Sequence, residues 1–405
     1  MNILYISSGI TFGRDKYKLG LVFSYRVIRA LHMKGHKITL VCLSGPDKKD
    51  TESSNHLKPF CSNIILAERK SCKGRLAHRA LRLYCFITNT YMEAYLAKSQ
   101  DMKNKIISMD NPDLFDIAIY DAYDLVQYSG CIRNIPKILY LGDSITLRAQ
   151  EMMKSKYLNL ISRMEIRRCM DRIKGIEKNC YTDFAKCIVA AEGDKKAILG
   201  LNSKLNIEAL PFSVDTVYFK KTKPEEENII LFTGILWTEH NCDAVLYFCN
   251  EILPLIRRKN RDAVFILVGG AAREEIKKCA KKDTRIKLVD FVEDIRPYLE
   301  KATVFVSPIR LGAGMNNKVL EAMSMEKAIV TTEHGNRSIS LKDGLEAFVC
   351  DDKFRFAEKV SELLKDKEKR RLLGQNARIK AEKEFSIEAY AGNLDKIIET
   401  VRSHI

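Results

Sequence analysis

No window of the 405 residues holds the roughly 18 uninterrupted apolar side chains that a membrane-spanning helix needs. The opening, MNILYISSGITFGRDK, has the pattern of a strand followed by an early Arg-Asp-Lys, not the basic, apolar and small-residue order of a signal peptide. The expected location is the cytoplasm, with a peripheral place at the inner face of the cell membrane. Twelve cysteines are present, but no two stand in a CxxC pair and none has a companion histidine at metal spacing. They read as small buried hydrophobes, and no metal site is expected. Zinc-finger spacing, an aromatic RNP-type strand and a glycine-arginine tail are all missing, so nucleic acid is not an expected partner. Low-complexity segments and short repeats are absent too.

What the chain has is positive charge: net +16, with a pI of about 9.2. Such a balance favours anionic company, either nucleotide phosphates or the negative inner face of a membrane. A hydrophobic share of 46% beside 30% charged residues fits a soluble globular protein, and 405 residues exceed one ordinary core. Two domains are expected.

Short apolar runs alternate with amphipathic stretches. NILYIS (from Asn2) and KITLVCL (from Lys37) flank VFSYRVIRALHMKG, a βαβ opening with Gly35 as the helix stop. Further runs begin at Ile64, Asp116, Lys137 and Lys186. After the polar linker KKTKPEEEN a second alternation starts, with runs at Ile229, Ala263, Ile286, Thr303 and Lys327. Continuous apolar strands between helices argue parallel sheets covered on both faces. The fold class is therefore α/β, with two doubly wound domains. The boundaries are 1–210, 211–385, and a C-terminal helix over 386–405 expected to pack back toward the first domain. Ligands of such sheets sit beyond the carboxyl ends of the strands.

The loop that stands out is RLGAGMNNKVLEAM, from Arg310. It joins the run TVFVSP to a helix expected from about Asn316 to Met325. Its glycines, Gly312 and Gly314, let backbone N–H groups approach an anion, and the helix start adds the positive end of a dipole. Lys318 falls in the first turn, where a cation is disfavoured unless an anion is near, and Glu321 lies on the same face. A diphosphate at the helix start and a diol further along would explain both. A turn that merely redirects the chain, with Lys318 and Glu321 paired, is the plainer alternative.

This stretch resembles the donor-site motif of the retaining glycosyltransferases of family four (the group 1 family), which have the GT-B fold. FTGILWTEHNCDAVLYFCNEILPLI, DFVEDIRPYLEKATVFVSPIRLGAGMNNKVLEAM and LPFSVDTVYF are similar to a bacterial exopolysaccharide-type subgroup in order and spacing. LGDSITLRAQEM and RMEIRRCM are weaker echoes in the amino half. The resemblance implies two Rossmann-like domains facing each other across a cleft, and transfer of a sugar, with retention and without a metal. The donor would be a UDP- or GDP-linked sugar, a substrate rather than a cofactor, and the acceptor a glycan or lipid-linked chain in surface polysaccharide synthesis.

The resemblance also assigns residues. Glu321 falls where the family binds the ribose hydroxyls. The family's other glutamate, which contacts the transferred sugar, falls on Ala313. The Arg and Lys that the family places after the first strand of its second domain are absent from TGILWTEHN, leaving Lys318 and Arg310 to neutralise the diphosphate. Amides from Gly312, Ala313, Gly314, Met315 and Asn316 would hold phosphate or sugar, with Gly234, Trp237, Asn241 and Val319 beside them. Gly269, Phe291 and Val292 would wall the base. In the amino half, Ser8 and Gly9 open the acceptor-side loop, which runs on through ITFGRDKYKLG, and Asp121 and Asp143 are candidate acids toward the acceptor hydroxyl. Both acids could equally be structural. A basic stripe of Arg75, Arg79 and Arg82 is a candidate contact for an anionic membrane surface or for the acceptor, with a solvated basic helix face as the plainer alternative, and Lys154, Lys156, Arg163, Arg167, Arg168 and Arg172 add a second basic helix. Two other functions fit the same motifs: a nucleotide-sugar epimerase, which needs no acceptor, and a donor-binding pseudo-transferase that scaffolds a partner.

Overall fold

The computed structural model describes residues 1–9, 23–44, 55–69, 75–88 and 92–403. The chain divides into two units. The amino unit comprises Met1–Ala149, Asn159–Leu210 and Tyr390–Ile405, and the carboxyl unit comprises Gln150–Leu158 and Pro211–Ala389. Residues 150–158 thus fall with the carboxyl unit, although the sequence pattern assigns everything before 210 to the other.

The amino unit is built on seven parallel strands: β1 (Asn2–Ser7), β2 (Lys37–Ser44), β3 (Asn63–Glu68), β4 (Ile117–Asp121), β5 (Lys137–Tyr140), β6 (Lys186–Val189) and β7 (Ile207–Ala209). Their order is β3-β2-β1-β4-β5-β6-β7. The chain winds one way from β1 to β3 and the other way from β4 onward, so the order reverses between β1 and β4, where Ser7 pairs with Asp121. Every residue of β4 is buried, as a strand covered on both faces requires. Leu4, Ile6, Tyr120, Leu139 and Val189 share one core cluster across the sheet.

The helix after residue 386 packs on this unit. On the helix Ile387–Ser403, the Tyr390 hydroxyl lies 2.7 Å from that of Tyr140, and Asp395 lies 2.8 Å from His36 Nε2.

The carboxyl unit repeats the plan with six parallel strands: β8 (Ile229–Thr233), β9 (Val264–Val268), β10 (Ile286–Val289), β11 (Val304–Ser307), β12 (Ala328–Thr331) and β13 (Phe348–Val349). Their order is β10-β9-β8-β11-β12-β13, so the reversal falls between β8 and β11. The helix Asn317–Ser324 follows β11, and Val319, Leu320, Ala322 and Met323 bury its inner face.

Candidate active site

In an open parallel sheet the loops on either side of the reversal diverge and leave a crevice at the carboxyl ends of the strands. In the carboxyl unit those loops follow β8 and β11. They are the segments beginning at Gly234 and Pro308, which the sequence marks for a donor.

Lys318 reaches from the β11 side to the β8 side. Its Nζ donates to Asn241 Oδ1 at 2.8 Å and stands 5.2 Å from the centre of the Phe232 ring. Asn241, nearly buried, is fixed in turn by donating Nδ2 to the Ile235 carbonyl at 3.0 Å. The hydrogen-bond partner of this ammonium is therefore a neutral amide. Burial pushes the Lys318 pKa down to about 8, against a smaller upward pull from Glu321. Close approach makes this crossing work. A Cβ on Gly269, at the end of β9, would stand 1.8 Å from the Gly234 carbonyl oxygen, and one on Gly234 would stand 2.9 Å from the Asn241 amide. Both positions must be glycine.

The turn from Gly312 to Gly314 runs through positive φ values of 119° and 76° at its two glycines. It is braced from the segment after β12. Thr332 donates its hydroxyl to the Ile309 carbonyl, and His334 Nε2–H donates to the Gly312 carbonyl at 3.0 Å. Asn316 donates to Ser307 Oγ at 2.8 Å and to the Gly335 carbonyl at 3.2 Å, while its buried Oδ1 has no partner among the described residues. Met315 accepts from the Phe212 amide through its sulfur. His240 lies on the other side of the turn, where burial first, and then Lys318 and His334, push its pKa down to about 3. It is a neutral imidazole. Glu321 lies one turn beyond Lys318 on the same helix and is 9% exposed. Ala313 is half-buried within the turn.

Two expected donor contacts, Arg310 and Val319, are placed otherwise. Arg310 forms a two-pronged ion pair with Asp243 (Nε to Oδ2 3.1 Å, Nη2 to Oδ1 2.9 Å) and stacks 3.9 Å above Tyr247. Its charge is committed, which leaves Lys318 as the cation of the crossing among the described residues. Val319 is wholly buried, and its amide donates to the Asn316 carbonyl, so it packs the core instead of facing the crevice. Trp237 is 57% exposed. Its carbonyl accepts from Arg273 Nε at 2.8 Å, and Arg273 also pairs with Glu239, whose other oxygen accepts from Ser155 Oγ at 2.9 Å. Phe291 and Val292 are half-buried beyond β10, with Phe291 against Gly270.

The sequence flags the loop after Thr332 but names none of its bracing residues. Asp243 and His334 carry no local signal, because their partners Arg310 and Gly312 stand 67 and 22 positions away. Among the described residues no group of three or more His, Cys, Asp or Glu is arranged to hold a metal ion.

The two candidate acids belong to the amino unit. Asp121, at the β1/β4 reversal, is 4% exposed and accepts from the hydroxyls of Ser24 and Ser7. Burial raises its pKa to about 7 against the downward pull of those hydrogen bonds. Asp143, after β5, is less enclosed; burial raises its pKa and Arg148, 3.3 Å away, opposes the rise. Ser8 and Gly9 follow β1, with the Gly9 carbonyl 3.3 Å from Ser7 Oγ. The rest of the acceptor-side loop, from Ile10, lies outside the described residues, as do the side chains of Arg75, Arg79 and Arg82. The second basic stripe is divided: Arg163 to Arg172 lie on the helix Leu160–Asn179, whereas Lys154 and Lys156 belong to the carboxyl unit.

The fold defines a class: two doubly wound α/β units of the GT-B type. The crystal structure of Anabaena HepE with UDP and glucose matches with a TM-score of 0.67 at 12% identity, covering 99% of this chain and 100% of that one. The sequence narrows the class. Residues 227–366, within the carboxyl unit, match the family described as "Glycosyl transferases group 1". The 44.6 kDa protein in the cps region of Klebsiella pneumoniae is 22% identical over 364 residues, 82% of this chain and 84% of that protein. A Campylobacter jejuni relative is 27% identical over 184 residues, 44% of this chain and 50% of its own length. It is the GalNAc-alpha-(1->4)-GalNAc-alpha-(1->3)-diNAcBac-PP-undecaprenol alpha-1,4-N-acetyl-D-galactosaminyltransferase.

Proposed function

We propose that the chain transfers a sugar from a UDP- or GDP-linked donor to a glycan or lipid-linked acceptor, with retention at the anomeric carbon, in the synthesis of a bacterial surface polysaccharide or glycoconjugate. The observation that carries this reading is Lys318, an ammonium drawn into the β8/β11 crevice and bonded to an amide rather than a carboxylate. A diphosphate there would supply the missing negative charge, and the Gly312–Gly314 turn and the start of the helix Asn317–Ser324 would add N–H donors. Glu321, farther along the helix, would accept from the ribose hydroxyls. The activity of the Campylobacter relative and the cps location of the Klebsiella one support the acceptor class.

In this reading no metal is needed. Lys318 and the amides stabilise the charge that grows on the leaving diphosphate, and the acceptor hydroxyl attacks the oxocarbenium-like sugar from the face the diphosphate leaves. His240, neutral beside Lys318, adds no competing positive charge and offers a hydrogen bond to the phosphate or sugar. Of the two acids proposed for the acceptor hydroxyl, the deeper enclosure of Asp121 favours Asp143.

Thermal shift with UDP, GDP, ADP and their sugar conjugates tests the donor site on the wild type and on Glu321→Ala. A ligand at 100 times its Kd adds about 2.7 kcal/mol of stability. One nucleotide series should stabilise the wild type, and the substitution should remove most of that gain. No stabilisation by any of them would sink the reading. Binding without transfer to any acceptor would point to a scaffold, and turnover of the donor alone to an epimerase.

A further inference from the structure

Six large apolar side chains of the amino unit stand exposed on two neighbouring helices. Leu83, Tyr84 and Ile87 are 60, 49 and 64% exposed on the helix Arg75–Ile87. Leu160, Ile161 and Met164 are 73, 65 and 53% exposed on the helix Leu160–Asn179. Each trio has the spacing i, i+1, i+4, which places its members on one side of a helix. The helices meet where Arg168 Nη2 donates to the Ile87 carbonyl at 3.3 Å, and Cys85 and Cys169 lie within electrostatic reach of one another. Single exposed leucines are ordinary on soluble proteins; a cluster of this size marks a surface that something covers.

Charge says what covers it. Arg167 and Arg168 are exposed and follow Met164 on the same side of their helix, where Asp171 is an acid and Glu165 stands at the flank, within a helix of four arginines, two lysines and three acids. The other helix carries three arginines and no acid in its sequence. A second copy of this chain, docked face to face, would set arginine against arginine across a two-fold axis. An anionic lipid surface has the opposite charge and an apolar layer beneath it. Amphipathic helices with basic borders sink their apolar side chains into the boundary between headgroups and acyl chains. Tyr84, whose ring lies 5.4 Å from that of Tyr95, has the half-apolar, half-polar character suited to that depth.

We infer that the paired face of the helices Arg75–Ile87 and Leu160–Asn179 docks on a bilayer containing anionic phospholipid, with the six apolar side chains in the headgroup layer and Arg167 and Arg168 at the phosphates. The inference goes beyond the transfer reading and does not rest on it.

Co-sedimentation of the full chain with vesicles tests the surface. The vesicles are either phosphatidylcholine alone or phosphatidylcholine mixed with phosphatidylglycerol. The wild type should pellet with the mixed vesicles, much less with the neutral ones, and less again as salt rises. Leu160→Ser/Ile161→Ser/Met164→Ser should lower partitioning at least about tenfold. Arg167→Ala should lower it about fivefold on anionic vesicles and leave neutral ones unaffected. All substituted side chains are exposed, so melting midpoints should stay at the wild-type value, and thermal shift with nucleotides should be unchanged. Loss of nucleotide binding with vesicle binding intact would count against the donor site alone. Wild type that stays in the supernatant with anionic vesicles overturns the inference. So does a dimer in light scattering that the triple substitution converts to monomer, because the face would then belong to a second copy.

Discussion

An ammonium held near pKa 8 is one whose protonation a ligand can complete. Lys318 is depressed by burial, and its pKa should climb when a diphosphate arrives, so binding and proton uptake are linked. The sign follows directly. Below about pH 7 the lysine is charged in both states and affinity is flat; above about 8 the free protein loses the proton first, and affinity falls by up to about tenfold per pH unit. Calorimetry with a nucleotide sugar across that range, in buffers of different ionisation heat, should show proton uptake near pH 8–9. Lys318→Met should abolish the uptake and flatten the profile. An unchanged profile in that variant would move the cation of the site elsewhere. The same depression makes the folded protein more stable as pH rises from about 8 toward the lysine's ordinary value, because the unfolded chain holds its proton longer.

At the scale of elements, the crossing of the β8 and β9 ends rests on two backbones in contact. Gly269→Ala pushes a methyl group into the Gly234 carbonyl, at a position where φ is already +158°, and should cost about 2–3 kcal/mol in urea denaturation. Gly270→Ala, one residue on, meets Phe291 only at an ordinary 3.4 Å and should change stability by less than about 0.5 kcal/mol. Equal effects would mean that the crossing is not tight. The strands themselves were legible in the sequence. The run from Asn2 is β1, and the runs at Ile229 and Thr303 lead into β8 and β11, because strands buried on both faces must be apolar throughout. Two kinds of feature were not legible. Strands as short as β13, two residues, carry no periodicity. Pairings such as Arg310 with Asp243 depend on which strands become neighbours, and local sequence does not encode that. Arg310 therefore read as a free cation until the neighbouring helix supplied its carboxylate.

For the whole molecule, the last helix ties the chain's end to its beginning. Tyr390→Phe would remove the hydrogen bond between the buried hydroxyls of Tyr140 and Tyr390 and should cost about 1 kcal/mol. Hydrogen exchange should place the lost protection in β1, β5 and the helix Ile387–Ser403 rather than in β8–β12. Loss spread evenly over both units would contradict that assignment. The closure also sets an order for synthesis. The carboxyl unit runs to Ala389, whereas the amino unit takes up Tyr390–Ile405, which leave the ribosome later. The half translated first is therefore the half completed last. During elongation its unfinished sheet is the part of the nascent chain that depends most on chaperones.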